Sequence, residues 1–209
     1  MSIKITGTSH IKPISEKNTF DFIALELDRY RFHALTNRTK SKFNWADASK
    51  IGFGGYLFAY FGGLMQNYLA KKLGVAPGED MLSAIKLANK TNARLVLIDR
   101  PIQITLQRFS KNISVLEKLK FVCFLIISML FVREKISLNE IPTANAVNKL
   151  LKELQQKFPG IYRVLVKERD EYMAHKLIIL QQQFPEAKIL VIVGAGHLTG
   201  LKTLLETHL

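Results

Sequence analysis

Two histidines stand at matched places in this chain. Gly7-Thr8-Ser9-His10 follows a short apolar segment near the amino end, and Gly194-Ala195-Gly196-His197 follows the run KILVIV (188–193). Each run is followed by a glycine with an imidazole three residues later. In an open α/β sheet, ligands collect at the carboxyl ends of the strands. A glycine there allows a tight turn and close approach of a ligand. If the first and last strands lie near one another, His10 and His197 face one crevice; otherwise each is a structural histidine.

A carboxylate joins them as a candidate. Glu26 sits inside FIALEL (22–27), where a charge is costly unless it is paired or bound to a metal. With His10 and His197 it makes a two-histidine, one-carboxylate set. Such a set suits zinc, manganese, cobalt or ferrous iron, with positions left open for water. The competing reading is an ion pair between Glu26 and Arg29 or Arg31, and both stay open on spacing. Two further acid–base clusters are Asp99-Arg100, after the apolar run RLVLI, and Glu168-Arg169-Asp170. Their arginines can hold a carboxylate or a developing oxyanion, or simply tie helices to a sheet. The glycines at 194, 196 and 200 do not make a dinucleotide fingerprint. That motif opens a strand–helix–strand unit with an acid about 20 residues on, and 12 residues follow His197.

The elements that must position these groups alternate between strand and helix. Strands are predicted at 4–6, 22–27, 94–98 and 188–193. Helices are predicted over 28–35, 79–89, 101–108, 114–135, 144–157 and 162–184, with helical spacing over 45–73, a turn at 194–200 and a short final helix. KILVIV is a continuous apolar strand of the kind covered by helices on both faces. The expectation is a single α/β domain over 1–209, with a mostly buried sheet and a helical subdomain at about 101–160.

Composition sets the outer limits. The 209 residues are 48% hydrophobic and 22% charged, which excludes a disordered or collagen-like chain. One cysteine, Cys123, excludes a disulfide framework and a cysteine-rich zinc site. The net charge of +13 is spread along the chain without a basic arm, so no specific nucleic-acid partner is expected. The opening MSIKITGT lacks the apolar core of a signal peptide. The run FVCFLIISMLFV (121–132) has 12 residues, against the roughly 20 of a membrane span. It and the aromatic, glycine-rich 51–65 are candidate surfaces for a homodimer or a membrane face. The expected location is the cytoplasm or a membrane surface.

Six segments in order carry a family resemblance: GTSH, ALELDRYR, PGEDM, LIDRPIQITLQR, VKERDEYMAHKL and VIVGAGHLTG. Together they span nearly the whole chain and resemble the TraB family, which includes pheromone-shutdown proteins and is related to the TIKI proteases. The resemblance implies an α/β fold shared with erythromycin-esterase and ChaN-like proteins. It also implies an active site of two GxxH motifs and a glutamate, here Gly7 with His10, Gly194 with His197, and Glu26. TIKI members are metal-dependent proteases, served by manganese or cobalt, that clip the amino terminus of a protein ligand. Pheromone-shutdown members are linked to loss of a small peptide signal. Many microbial members continue past the second motif into transmembrane helices, whereas this sequence stops 12 residues beyond it; it corresponds to a short member or to an excised catalytic domain.

The function expected is therefore metal-dependent hydrolysis of a peptide or protein terminus. His10, Glu26 and His197 would hold Mn, Co or Zn. Glu168 or Asp170 would act as general base, and Arg100 and Arg169 would stabilise the oxyanion or bind a substrate carboxylate. The alternatives are a metal-independent, esterase-like hydrolase with a histidine base, and a non-catalytic protein that binds a peptide or metal.

Overall fold

The computed structural model describes residues 2–7, 20–37, 52, 54–56, 59, 63, 78–131 and 144–208. The chain forms two compact units. One comprises Met1–Lys42, Ala76–Ile102 and Lys167–Leu209; the other comprises Phe43–Val75 and Gln103–Val166.

Among the described residues, the first unit is built on four parallel strands: β1 (Ser2–Gly7), β2 (Phe22–Leu25), β3 (Arg94–Leu97) and β4 (Lys188–Val193). Their order across the sheet is β1-β4-β2-β3. The chain's last strand thus lies between its first two, with Gly7 opposite Val193 and Phe22 opposite Ile189. Side-chain alternation along the central strands explains two cores. Phe22, Ala24, Ile189, Val191 and Val193 face one way, packing with Met173, Leu177 and Leu201. Ile23, Leu25, Leu190 and Ile192 face the other, packing with Ala84 and Ala88. Every residue of β4 after Lys188 is buried, as a strand covered on both faces requires. Burying each such aliphatic side chain contributes about 1.5–3 kcal/mol.

Helices of this unit start where local chemistry allows. Asp28 caps α1 (Arg29–Thr36), its Oδ1 accepting from the N–H groups of Tyr30 at 2.8 Å and Arg31 at 3.1 Å. The next helix, α2 (Glu79–Thr91), has Glu79 and Asp80 in its first turn and stops at Asn92 in the left-handed region, φ 54°.

In the second unit, most of α3 (Ile102–Asn112) is followed by α4 (Val115–Phe131), α5 (Ala144–Lys157) and the short α6 (Pro159–Tyr162). Phe109, Ile113, Phe158, Ile161 and Val164 form its core, with Phe121 edge-on to Phe158 at 5.2 Å. Pro159 opens α6, and Glu117 Oε1 accepts from the N–H groups of Gly160 and Ile161 at 2.8 and 3.1 Å. A π-type turn (Arg163–Lys167) then leads into α7 (Glu168–Gln183), so the helix expected from 162 to 184 is interrupted.

The chain is thus α/β, with a parallel sheet. One expectation is corrected at its carboxyl end: the turn expected over 194–200 is the start of α8 (Ala195–His208). The Gly194 carbonyl accepts from His197 N–H at 2.9 Å and closes the first helical turn, so a single residue separates β4 from α8. Most of 45–73 lies outside the described residues. Among the described residues, no helix is long and apolar enough to cross a membrane.

Candidate functional site

Because the strands run parallel, β2, β3 and β4 end on one edge of the sheet, and the first turns of α7 and α8 meet there. Glu26 follows β2, Asp99 lies two residues past the end of β3, Arg169 and Asp170 lie in the first turn of α7, and His197 lies in that of α8. Glu26, Asp99, Asp170 and His197 are all buried. Gly7 ends β1 opposite Val193, the last residue of β4. His10 itself lies outside the described residues.

Arg169 is the hub. Its Nε donates to Asp99 Oδ1 at 3.1 Å and its Nη2 to Asp99 Oδ2 at 2.7 Å, a bidentate fork. Nη2 also pairs with Glu26 Oε1, and Nη1 lies 2.9 Å from His197 Nε2. The second oxygen of Glu26 accepts from Gly194 N–H at 2.6 Å. Arg31 completes the arrangement, pairing with Asp99 and, at 2.7 Å, with Asp28. Glu26 therefore pairs with Arg169, 143 residues away, while the Arg31 proposed for it serves Asp28 and Asp99.

His197 Nδ1 lies 2.6 Å from Asp170 Oδ1. A guanidinium can only donate, so in this arrangement Nε2 accepts from Arg169 and Nδ1 carries the proton donated to Asp170. A carboxylate that holds Nδ1–H fixes the imidazole with its Nε2 lone pair outward, the tautomer of a general base. Gly200, one turn further along α8, lies directly against the Asp170 carboxylate.

The charges are mutually adjusted. Burial pushes the Asp170 carboxyl above the usual carboxylate range, and its interaction with His197 only partly offsets it. Burial also disfavours the charge of Asp99, but the hydrogen bonds and charge of Arg169, with the charge of Arg31, outweigh it and hold that carboxyl low. Burial likewise opposes the Arg169 cation, and the bonds and charges of Asp99 and Glu26 overcome it, holding the guanidinium above its ordinary value.

Arg100 and Glu168 pair with each other at 2.9 Å, one residue along from Asp99 and Arg169. Gly196 lies within the first turn of α8. Sequence reasoning placed Asp99 in an acid–base cluster without assigning it to the site. Its signal was a carboxylate at the end of an apolar strand, the same one that singled out Glu26. Gly200 carried no comparable signal.

Glu26 Oε1 and His197 Nε2, two of the three donors of the metal set expected from sequence, are 3.3 Å apart. The space between them is held by Arg169, which bonds to both atoms. Among the described residues, no group of three or more His, Cys, Asp or Glu is placed to hold a metal ion. In this arrangement the guanidinium of Arg169 meets both described donors of that set, and the third, His10, lies outside the described residues.

The chain is thus an α/β protein with a carboxylate–histidine–guanidinium cluster at the strand ends of its parallel sheet. The chain belongs to the TraB/PrgY/gumN family, whose profile matches residues 57–208. It is similar to an uncharacterized protein of Methanocaldococcus jannaschii, at 31% identity over 95% of this chain. It is also similar to TraB domain-containing proteins of mouse and human, at 25% and 24% identity over 99% of this chain. The chain spans 52% of the archaeal relative's length and 63% of each mammalian one.

Proposed function

We propose that this chain is a hydrolase in which His197, held by Asp170, is the general base that activates water against a peptide or an exposed protein terminus. The observation that carries this reading is the 2.6 Å contact from His197 Nδ1 to a buried carboxylate, with Nε2 left as an acceptor. Water entering beside Nε2 displaces Arg169 Nη1 from the lone pair. Nε2 takes the water's proton as the oxygen attacks the carbonyl, and Asp170 stabilises the imidazolium that forms. Nη1, still anchored through the Asp99 fork, then lies beside the reacting centre as a donor to the tetrahedral oxyanion. The imidazolium returns its proton to the leaving group as the carbon–nitrogen or carbon–oxygen bond breaks. Asp170 is a positioning residue in this scheme, and Arg100 and Glu168 brace the turn beside it.

The likeness to TIKI and pheromone-shutdown proteins supports the peptide class. The parallel sheet, helix-covered on both faces with its site at the strand ends, supports an architecture like that of erythromycin-esterase and ChaN-like proteins. We place the chain in the cytoplasm or at a membrane surface, where a homodimer contact through the apolar helices fits the composition.

The test is a peptide and ester library incubated with the full chain in the presence of a chelator. Chelator-insensitive cleavage, lost in a folded His197→Ala variant, is the result expected. Binding without turnover would favour a regulatory role instead.

A metallopeptidase is the second reading. It is favoured by the 3.3 Å separation of Glu26 Oε1 and His197 Nε2 and by the β1–β4 register that sets Gly7 opposite Val193. His10, Glu26 and His197 would then be the ligands of Mn, Co or Zn, with Arg169 moved aside. Activity that a chelator abolishes and one of these ions restores would establish it.

A further inference from the structure

We propose that Arg169 is the resident cation of the Glu26–His197 pair and excludes a divalent metal ion from it. This deepens the reading of the site given above. The guanidinium touches the two atoms that a metal would need, Glu26 Oε1 and His197 Nε2, and its side chain is only 16% exposed. It does not hang there by one contact. Nε and Nη2 grip both oxygens of Asp99, and Asp99 is anchored by Arg31 and by the N–H of Arg100 at 2.7 Å.

Two cations cannot share that pocket, because their repulsion is strong where water is scarce. A metal therefore enters only if Arg169 leaves, and leaving breaks the fork while uncovering Asp99. The carboxylates need no second cation to be satisfied. Glu26 has Arg169 and the N–H of Gly194, Asp99 has Arg169 and Arg31, and Asp170 has His197.

The experiment is calorimetric titration of Mn²⁺, Co²⁺ and Zn²⁺ into the full chain, as wild type, Arg169→Gln, Glu26→Gln and Arg169→Gln/Glu26→Gln. The expected result is that Arg169→Gln gains a saturable site about tenfold or more tighter than any in the wild type, and that adding Glu26→Gln removes it. A wild type that binds one ion with the same affinity as Arg169→Gln, and loses it on Glu26→Gln alone, would overturn the proposal. So would a folded Arg169→Gln that binds nothing.

Should that variant fail to fold, Zn²⁺ titrated into the wild type is read by nitrogen NMR of the His197 ring. Unmoved ring signals support exclusion, and signals shifting with saturation refute it. Turnover enters none of these arms, so failure here is separable from failure of the hydrolase reading.

Discussion

Gly200→Ala isolates the link between Asp170 and His197 without touching either residue. A Cβ built at position 200 falls well inside van der Waals contact of Asp170 Oδ2 and 3.1 Å from its Cγ, where ordinary contacts are 3.4–4 Å. The carboxylate must retreat by about 1 Å in a packed interior. Its 2.6 Å contact with His197 Nδ1 cannot survive that shift. Losing a charge-assisted hydrogen bond costs about 1.5–3 kcal/mol, while replacing glycine by alanine inside a helix returns about 1 kcal/mol. The net expectation is a loss of roughly 0.5–2 kcal/mol, small enough for the fold to persist. Turnover should suffer far more. An imidazole without its orienting carboxylate loses the favoured tautomer and the stabilisation of its charged form, and general-base catalysis is worth about 10²–10⁴-fold.

Three readings on one sample test this: thermal unfolding, kcat/KM on whichever peptide or ester the screen identifies, and nitrogen NMR of the histidine rings. Thr203→Ala, at an exposed position of the same helix, controls for general effects on α8 and should leave all three near wild type. A Gly200→Ala variant with wild-type turnover and an unchanged Nδ1-protonated His197 would refute the argument. Either α8 shifts to accommodate the methyl group, or the Asp170 contact is irrelevant to function.

Three other predictions follow from the same contacts. Asp170→Asn should be no less stable than wild type near neutral pH. With its folded pKa raised by burial, this carboxyl contributes stability in acid that is lost as pH rises through the folded value; turnover should still drop by about 10²-fold or more, and a melt beside a rate assay separates the two. Asp99 has the opposite sign. Held below the ordinary 3.8 by Arg169 and Arg31 against the pull of burial, it contributes stability above 3.8 that is lost as pH falls through the lower folded value, so Asp99→Asn should flatten the acid limb of urea-unfolding free energy. Glu117→Ala should cost about 1–2 kcal/mol, because the N–H groups of Gly160 and Ile161 lose their acceptor; hydrogen exchange at those two amides should rise while that of Leu190 in β4 stays slow.

The legible part of this protein was what short stretches decide for themselves. KILVIV reads as a doubly covered strand because nothing in it tolerates water, and β4 is buried from Ile189 onward. The glycine-rich stretch after it misled, because Gly194, Gly196 and Gly200 argue locally for a loop, yet all of it from Ala195 is helix. Gly200 is accounted for by packing: α7 brings Asp170 against it, a tertiary demand that a local pattern cannot express. Glu26 shows the same division. A carboxylate in an apolar run announces that some positive partner is required, and the structure supplies Arg169, with Asp99 holding it in place. Which cation arrives depends on the sheet order, since β4 lying beside β2 brings Gly194 and the start of α8 against Glu26. Arginines a few residues away were equally plausible from the sequence. The choice among them was made by strands and helices distant in the chain, so the need for a counter-charge was readable there and its identity was not.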